Sequence, residues 1–384
     1  MYSYNTKIKS PELTILAALV SSKVEEINSI FKSYDVQFLL NLAVTHGFVG
    51  LIYQNLENHI ISQNIQEKHV LEAYKVFNLF QIKVDFKTSI IDQNELDILE
   101  KLNIAQIEFV ILKGFVLSHS LYEKSNLRPR TDIDIIIAES SHDNIKSIFK
   151  LNEYTNPLAW EPIHILSQFT MRKKLLNGLC VDFDVHFQIS NSKKLSRILT
   201  FNELKNCSEI HSIQGKDYRF VSREHAFIHA SFHLLQHLLE GNHFKAIWIY
   251  DLYLLLKSFS ESEMKKVKSL VEEKKLQNIM IGALEIVNPF FPEHNSLILL
   301  RFSKALKPTK EFKYLLNPKN KISLIWSDLS EIEMISDKLG YLKEIVFPPV
   351  SEIRKKYPNS GNTPTFYLYL KRFFSGLLKY IRIN

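Results

Sequence analysis

Two aspartates one residue apart, Asp132 and Asp134, head the β-branched run of RPRTDIDIII at residues 128–137. Alternate side chains on a strand point to opposite faces, so the two carboxylates share one face while Ile133 and Ile135 take the other. Two ionised carboxylates this close repel each other, and keeping both charged in a half-buried place costs free energy unless a cation sits between them. Mg²⁺ suits such a place, because it binds one or two carboxylates together with substrate phosphate oxygens. Further on, VDFDVHFQ at 181–188 puts Asp182, Asp184, His186 and Gln188 on one face and Val181, Phe183, Val185 and Phe187 on the other. If that strand lies beside the first, Asp182 or Asp184 adds a third carboxylate. Three acids on neighbouring strands can hold two Mg²⁺ ions, which stabilise the attacking and leaving oxygens of an in-line phosphoryl displacement. An alternating strand with a wet acidic face is common, and D-x-D alone is a weak motif. The ensemble carries the weight: Lys113-Gly114 after one strand, the acid pair on the next, a third acid on a later one.

A second cluster is the ladder of His225, His229, His233 and His237, four residues apart in EHAFIHASFHLLQHLLEGNH. On a helix each such step drifts by about 40°, so the ladder winds slowly along one side. Histidines at i and i+4 can bind Zn²⁺, but the glutamate of an H-E-x-x-H signature is missing here. The ladder reads instead as a helix packed behind the site, with one or two imidazoles facing the cleft. Asp251 in IYDLYLLL reads as a structural acid of the same helical layer, and His46 as a packed or capping histidine. FYLYLKRFFSGLLKYIRIN, from residue 366, mixes aromatics with Lys371, Arg372, Lys379 and Arg382. It reads as a helix that packs its Phe and Leu face onto the body; the other reading is peripheral membrane contact, with the helix lying along an anionic surface.

The elements that must position these groups follow from the pattern. Residues 10–95 read as helices, the first opened by Ser10-Pro11 with Glu12 in its first turn. IEFVILKG from residue 107 is a short β-rich run, FVLSHSLY a turn or two of helix, TDIDIIIA a second strand and SSHDNIKSIFKLNEY a helix. After a less legible stretch, LCVDFDVHFQI at 179–189 alternates strictly, and from about residue 200 the pattern is helical again. The division expected is an N-terminal helical region at 1–100, a catalytic core at 101–195 and a C-terminal helical region at 196–384.

Composition agrees with a folded chain of two or three modules: 384 residues, 46% hydrophobic and 23% charged, with only 10 Gly and 12 Pro. Cys180 and Cys207 are too few for a disulfide framework, which favours a reducing compartment. Neither a signal peptide nor a bilayer-spanning apolar run is legible, so a cytoplasmic location is expected. The net charge of +7 is a mild excess that suits an anionic substrate and suits a lysine-rich composition equally well.

LKG, then LY, then RPRTDIDIII, then VDFDVHF resembles the bacterial uncharacterised nucleotidyltransferase family of the polymerase-β-type superfamily, whose pattern runs LKG, R-x-x-x-D-I-D and V-D-x-H. Arg128 falls on the arginine, Asp132 and Asp134 on the acid pair, and Asp184 with His186 on the last motif. LAVTHGFVGLIYQNL, VSREHAFIHASFHL, WIYDLYLLL and VFPPVSEIRKKYP look like outlying landmarks. The resemblance implies an α+β fold, with a small mixed β-sheet core flanked by N-terminal helices and a larger C-terminal helical region. It implies an enzyme that uses Mg²⁺, two ions in all, and an NTP such as ATP, passing the NMP to a small molecule, a sugar or polysaccharide precursor or a protein. Asp132, Asp134 and Asp184 would be catalytic and metal-binding, with Asp182 the contender for the third place. Lys113, Gly114, Arg128 and His186 would contact the nucleotide or orient the acids. The superfamily's usual Gly-Ser is replaced by Lys113-Gly114-Phe115, which leaves phosphate recognition to backbone N–H groups and Lys113. No basic strip interleaved with aromatics marks the core, so nucleic acid is the weakest acceptor. The alternative is a catalytically inactive nucleotide sensor or partner protein of the same fold.

Overall fold

The computed structural model describes residues 11–381 apart from 22–23, 64–66, 158–163, 177, 241–243, 292–301, 303, 317–320 and 359–360. Ser10, Lys379 and Arg382 lie outside the residues whose side chains it describes. The chain opens with helices α1 (Pro11–Ser21), α2 (Val24–Ser33), α3 (Val36–His46), α4 (Val49–Gln63) and the 37-residue α5 (Lys68–Ile104). Gly47 ends α3 in the left-handed region at φ 81°, where glycine carries no Cβ penalty. Next to it, His46 accepts the Ala246 backbone N–H at 3.2 Å, the packed role expected of it.

The sheet begins with β1 (Phe109–Leu112), followed by α6 (Lys113–Ser120), β2 (Ile133–Ile137) and α7 (His142–Leu151). Then come β3 (Gln168–Lys174), β4 (Cys180–His186), short helices α8 (Lys193–Ile198) and α9 (Phe201–Asn206), and β5 (Glu209–Ile213) with β6 (Lys216–Phe220). Among the described residues, six strands form one mixed sheet in the order β3-β4-β2-β1-β6-β5. β1 and β2 are antiparallel, while β2–β4 and β1–β6 are parallel. The α+β class is thus as expected, but the sheet is larger. β3 lies in the stretch that gave no clear reading, and the hairpin β5–β6 lies where the pattern looked helical and beyond residue 195. Gln214 and Gly215 both take positive φ, 52° and 77°, in the two-residue turn between its strands, the backbone twist that tight hairpins require.

The C-terminal helices are α10 (Arg223–Glu240), α11 (Ile247–Ser258), α12 (Glu261–Glu273), α13 (Gln277–Val287), α14 (Lys321–Glu331), α15 (Ile335–Val346), α16 (Val350–Lys356) and α17 (Thr365–Ile381). No helix among the described residues is long and apolar enough to cross a membrane. Val181, Phe183 and Val185 of β4 are fully buried, with Phe183 packed edge-on against Phe149 of α7 at 5.0 Å. The other face of that strand, which carries the acids, is turned towards a cleft bordered by α6, α10 and α11.

Candidate active site

Register brings the acids together. Asp134 of β2 lies opposite Asp184 of β4, and Thr170 of β3 lies opposite Asp184 from the other side. With side chains alternating across each strand, all three project from one face. Asp134, Asp184 and His186 each bring a ligand atom to within 4.8 Å of the others. Thr170 Oγ1 donates to Asp184 at 2.6 Å and Gln168 Nε2 reaches its second oxygen at 3.4 Å, which fixes that carboxylate. Asp182, the contender, is held elsewhere: Arg172 grips both its oxygens, at 2.7 and 2.5 Å.

Lys113 reaches into the cluster, with Nζ 2.6 Å from Asp134 Oδ1. Its ammonium stands where a cation is needed between the acids. Lys113 sits at φ 50°, in the left-handed region that non-glycine residues enter at a cost, at the sharp step from β1 into α6. His186 Nε2 lies 2.8 Å from the same Asp134 oxygen. Burial and the Lys113 charge hold His186 below its ordinary pKa, so the neutral ring donates its Nε2 proton to Asp134.

These contacts split the acids electrostatically. Burial opposes ionisation of Asp134, but Lys113 and His186 outweigh it and hold the carboxyl well below the usual range. Burial, and then repulsion from Asp134 and Asp184, pushes the half-buried Asp132 up to about 7. Asp184 is raised as well, by burial first and then by Asp134, with the Thr170 hydrogen bond working the other way. Asp132 stands just before β2, with Thr131 Oγ1 at 3.4 Å. An oxygen-rich set whose members resist ionising together is a donor set that fits a divalent cation.

The arginines of RPRTD anchor the loop that delivers these acids. Arg128 makes a buried bidentate pair with Asp251 of α11, at 2.8 and 2.7 Å, and Tyr122 donates to the same carboxylate at 2.7 Å. Arg130 pairs with Glu95 of α5 at 2.5 Å and with Asp92, and its guanidinium lies 4.7 Å from the Phe115 ring centroid. The loop is therefore gripped from the N-terminal and the C-terminal helices at once. Asp251 has the structural role its sequence suggested. Glu123, the nearest acid preceding Arg128 in sequence, accepts from Gln54 at 2.5 Å. Gly114 matters by what it lacks: a Cβ there would meet Arg128 Nη1 at 2.7 Å.

The cleft holds about 480 Å³ and is lined by Lys113, Gly114, Arg128, Asp132, Asp134, Asp184 and His186 together. Opposite them stand His229, His233 and His237, so three rungs of the ladder face the cleft rather than one or two. His225 does not line it; its ring lies between Ser222 at 2.7 Å and Glu203 at 3.3 Å. Burial, and then the Lys113 charge, lowers His229 to about 3 and His233 well below its ordinary value, so both stay neutral at pH 7. Trp248 packs 4.8 Å from both His233 and His237, and the exposed Lys245 adds a further cation to the lining beside Lys113, Arg128 and Arg130. Sequence reasoning missed Thr170, Lys245 and Trp248. An alternating QFTMRKK before Asn177-Gly178 was the available signal for Thr170; Trp248 opens the WIYDLYLLL landmark without a role being read for it, and nothing in the pattern marked Lys245.

The sheet thus presents two carboxylates and a histidine beside a strand-to-helix turn, at the floor of a helix-covered cleft in an α+β protein. Residues 32–292 match the family of uncharacterised nucleotidyltransferases, and the chain belongs to that family. No curated protein matches it.

Proposed function

We propose that the protein is a Mg²⁺-dependent nucleotidyltransferase that moves the NMP moiety of an NTP onto a hydroxyl-bearing acceptor and releases pyrophosphate. The observation that carries this reading is the pairing of Asp134 with Asp184 across two parallel strands, with Asp132 adjacent and a cation already drawn into the cluster. Asp132, Asp134 and Asp184 would hold Mg²⁺, which when bound supplies positive charge at the reacting phosphate and at the acceptor oxygen. His186 orients Asp134 through its Nε2 hydrogen bond. Lys113 and the first backbone N–H groups of α6 face the triphosphate, where an ammonium and a helix N-terminus both favour anions. Arg128 borders the same place but is neutralised by Asp251, so it positions Gly114 and the loop more than it supplies charge. Asp184, with its raised pKa, takes the proton of the acceptor hydroxyl. The acceptor oxygen bonds to the α-phosphorus as the bridge to the β-phosphate breaks, and pyrophosphate leaves with that electron pair.

Acceptors that fit are a small molecule, a sugar or polysaccharide precursor or a protein hydroxyl. The test is incubation of the purified chain with Mg²⁺ and each NTP in turn, with and without cell extract. Pyrophosphate release and intact protein mass are scored. Release that needs extract shows a separable acceptor; a protein mass raised by one nucleotide shows a protein hydroxyl. No release with any NTP, with or without extract, sinks the reading.

A further inference from the structure

We propose that the outward face of α17 docks the protein onto an anionic lipid surface. A helix of a globular protein ordinarily turns its apolar stripe inward. This one is reversed. At 100° per residue, Phe366, Tyr367, Leu370, Phe373 and Phe374 share an arc of about 120°. Phe366, Tyr367, Phe373 and Phe374 are 69, 67, 54 and 52% exposed. The opposite side carries the buried Leu368 and the half-buried Arg372 and Ser375. A body-packed helix of this composition was one of the two sequence readings, and the burial pattern is its inverse.

The stretch of chain that precedes α17 is also rich in exposed apolar side chains. Among the described residues, eleven of the 22 exposed large hydrophobic side chains lie between Trp326 and Phe374, including Ile335 and Leu339 on α15. On α17 the exposed rings are contiguous along one arc, and a contiguous apolar face marks a place that is covered in use.

Charge selects the cover. Residues 345–384 carry seven Lys and Arg against the single acid Glu352, so they supply +6 of the chain's +7. α17 itself contains no acid. Aromatic side chains along one arc, edged by the exposed Lys371, match a lipid interface, where rings enter the acyl boundary and cations meet anionic headgroups. A protein interface built on these residues would have to be acidic as well as apolar, and nucleic acid would leave the convex row of Phe rings largely unused.

The test is flotation of the full chain with vesicles of phosphatidylcholine alone and with vesicles containing roughly one third phosphatidylglycerol. The wild type is expected to float with the anionic vesicles only, and to be released by high salt. A Phe366→Ser/Phe373→Ser variant, with an unchanged melting curve, should lose at least about tenfold in the bound fraction. Lys371→Glu should weaken binding while leaving the aromatic face intact. The proposal is overturned if the wild type ignores anionic vesicles, or if the double variant floats as well as the wild type. A concentration-dependent dimer that the double variant abolishes, without vesicle binding, would assign the face to a second copy of the chain instead.

Discussion

Asp132, Asp134 and Asp184 share one pocket, yet their surroundings push Asp134 towards easier ionisation and the other two towards holding a proton. Asp134 keeps its charge because Lys113 and His186 both bind the same oxygen. Asp184 is held by Thr170, whereas Asp182, two residues away, is spent on Arg172. The two neighbours should therefore behave oppositely: Asp184→Asn should slow NTP turnover by at least about 100-fold, the low end of what a positioned acid or base contributes. Asp182→Asn should leave turnover within about twofold, since its charge faces Arg172 and not the cleft. Steady-state pyrophosphate release from the two variants decides it, and equal losses would move the third acid off Asp184.

Asp132 makes a pH prediction. Its folded-state pKa, about 7, lies above the ordinary 3.8. Between those values the folded state holds a proton that the unfolded state has lost, so the group subtracts stability progressively as pH rises from about 4 to about 7. The upper bound is about 4 kcal/mol, from 1.36 kcal/mol per unit. In chelator, Asp132→Asn should melt above the wild type at pH 8 and alongside it at pH 4. Melting curves at the two pH values check this, and a variant less stable at pH 8 would contradict it. Glu95 is also raised to about 7, by burial first; Asp132 is the last of its causes, so removing that charge eases Glu95 slightly and shifts the comparison in the same direction.

At the scale of elements, the sharp β1–α6 step and the RPRTD loop depend on each other. A Cβ at position 114 would lie 2.7 Å from Arg128 Nη1, so Gly114→Ala must push the guanidinium away from its seat. Arg128 is the more costly to lose. Its removal leaves Asp251 buried and unpaired, for which about 3–5 kcal/mol is expected. Denaturant unfolding should show that loss for Arg128→Ala. Gly114→Ala should weaken NTP binding by isothermal titration while the melting temperature falls only a few degrees.

Much of this was legible in the chain. Strict alternation over 181–188 gave β4 and its face, and the β-branched run gave β2, because each strand has one buried and one functional side. β3 was harder to read: Phe169 and Met171 are its only clear inward apolar positions, and Arg172 and the lysines that follow look like a loop. The β5–β6 hairpin hid for another reason. His211, Ser212, Lys216 and Asp217 dilute its apolar positions, and the turn signal rests on a single Gly215. The partners Arg128–Asp251 and Arg130–Glu95 span about 120 and 35 residues, and no local pattern encodes a contact of that range.

Over the whole molecule, the helices flanking the sheet act as supports for the site as well as its walls. Asp328 of α14 accepts the Lys193 N–H at 2.8 Å, and Glu344 of α15 accepts those of His164 and Ile165 at 2.9 and 3.0 Å. Those segments lead into β3 and lie just beyond Asn191, so helices more than a hundred residues downstream hold the rim of the cleft. α5 and α11 grip the acid-bearing loop from opposite sides through Arg130 and Arg128. The matched family region, 32–292, contains the sheet, α6, α10 and α11, which line the cleft, and α5, which holds Arg130.

The central claim is that the acid cluster performs metal-dependent nucleotidyl transfer. Its most direct test is Mg²⁺- and NTP-dependent pyrophosphate release by the wild type beside an Asp132→Ala/Asp134→Ala variant of matched thermal stability, both supplied with the same cell extract. The account predicts release by the wild type that chelator abolishes, and none above background from the variant. Equal release from both proteins, or release by the wild type that persists in chelator, would contradict it.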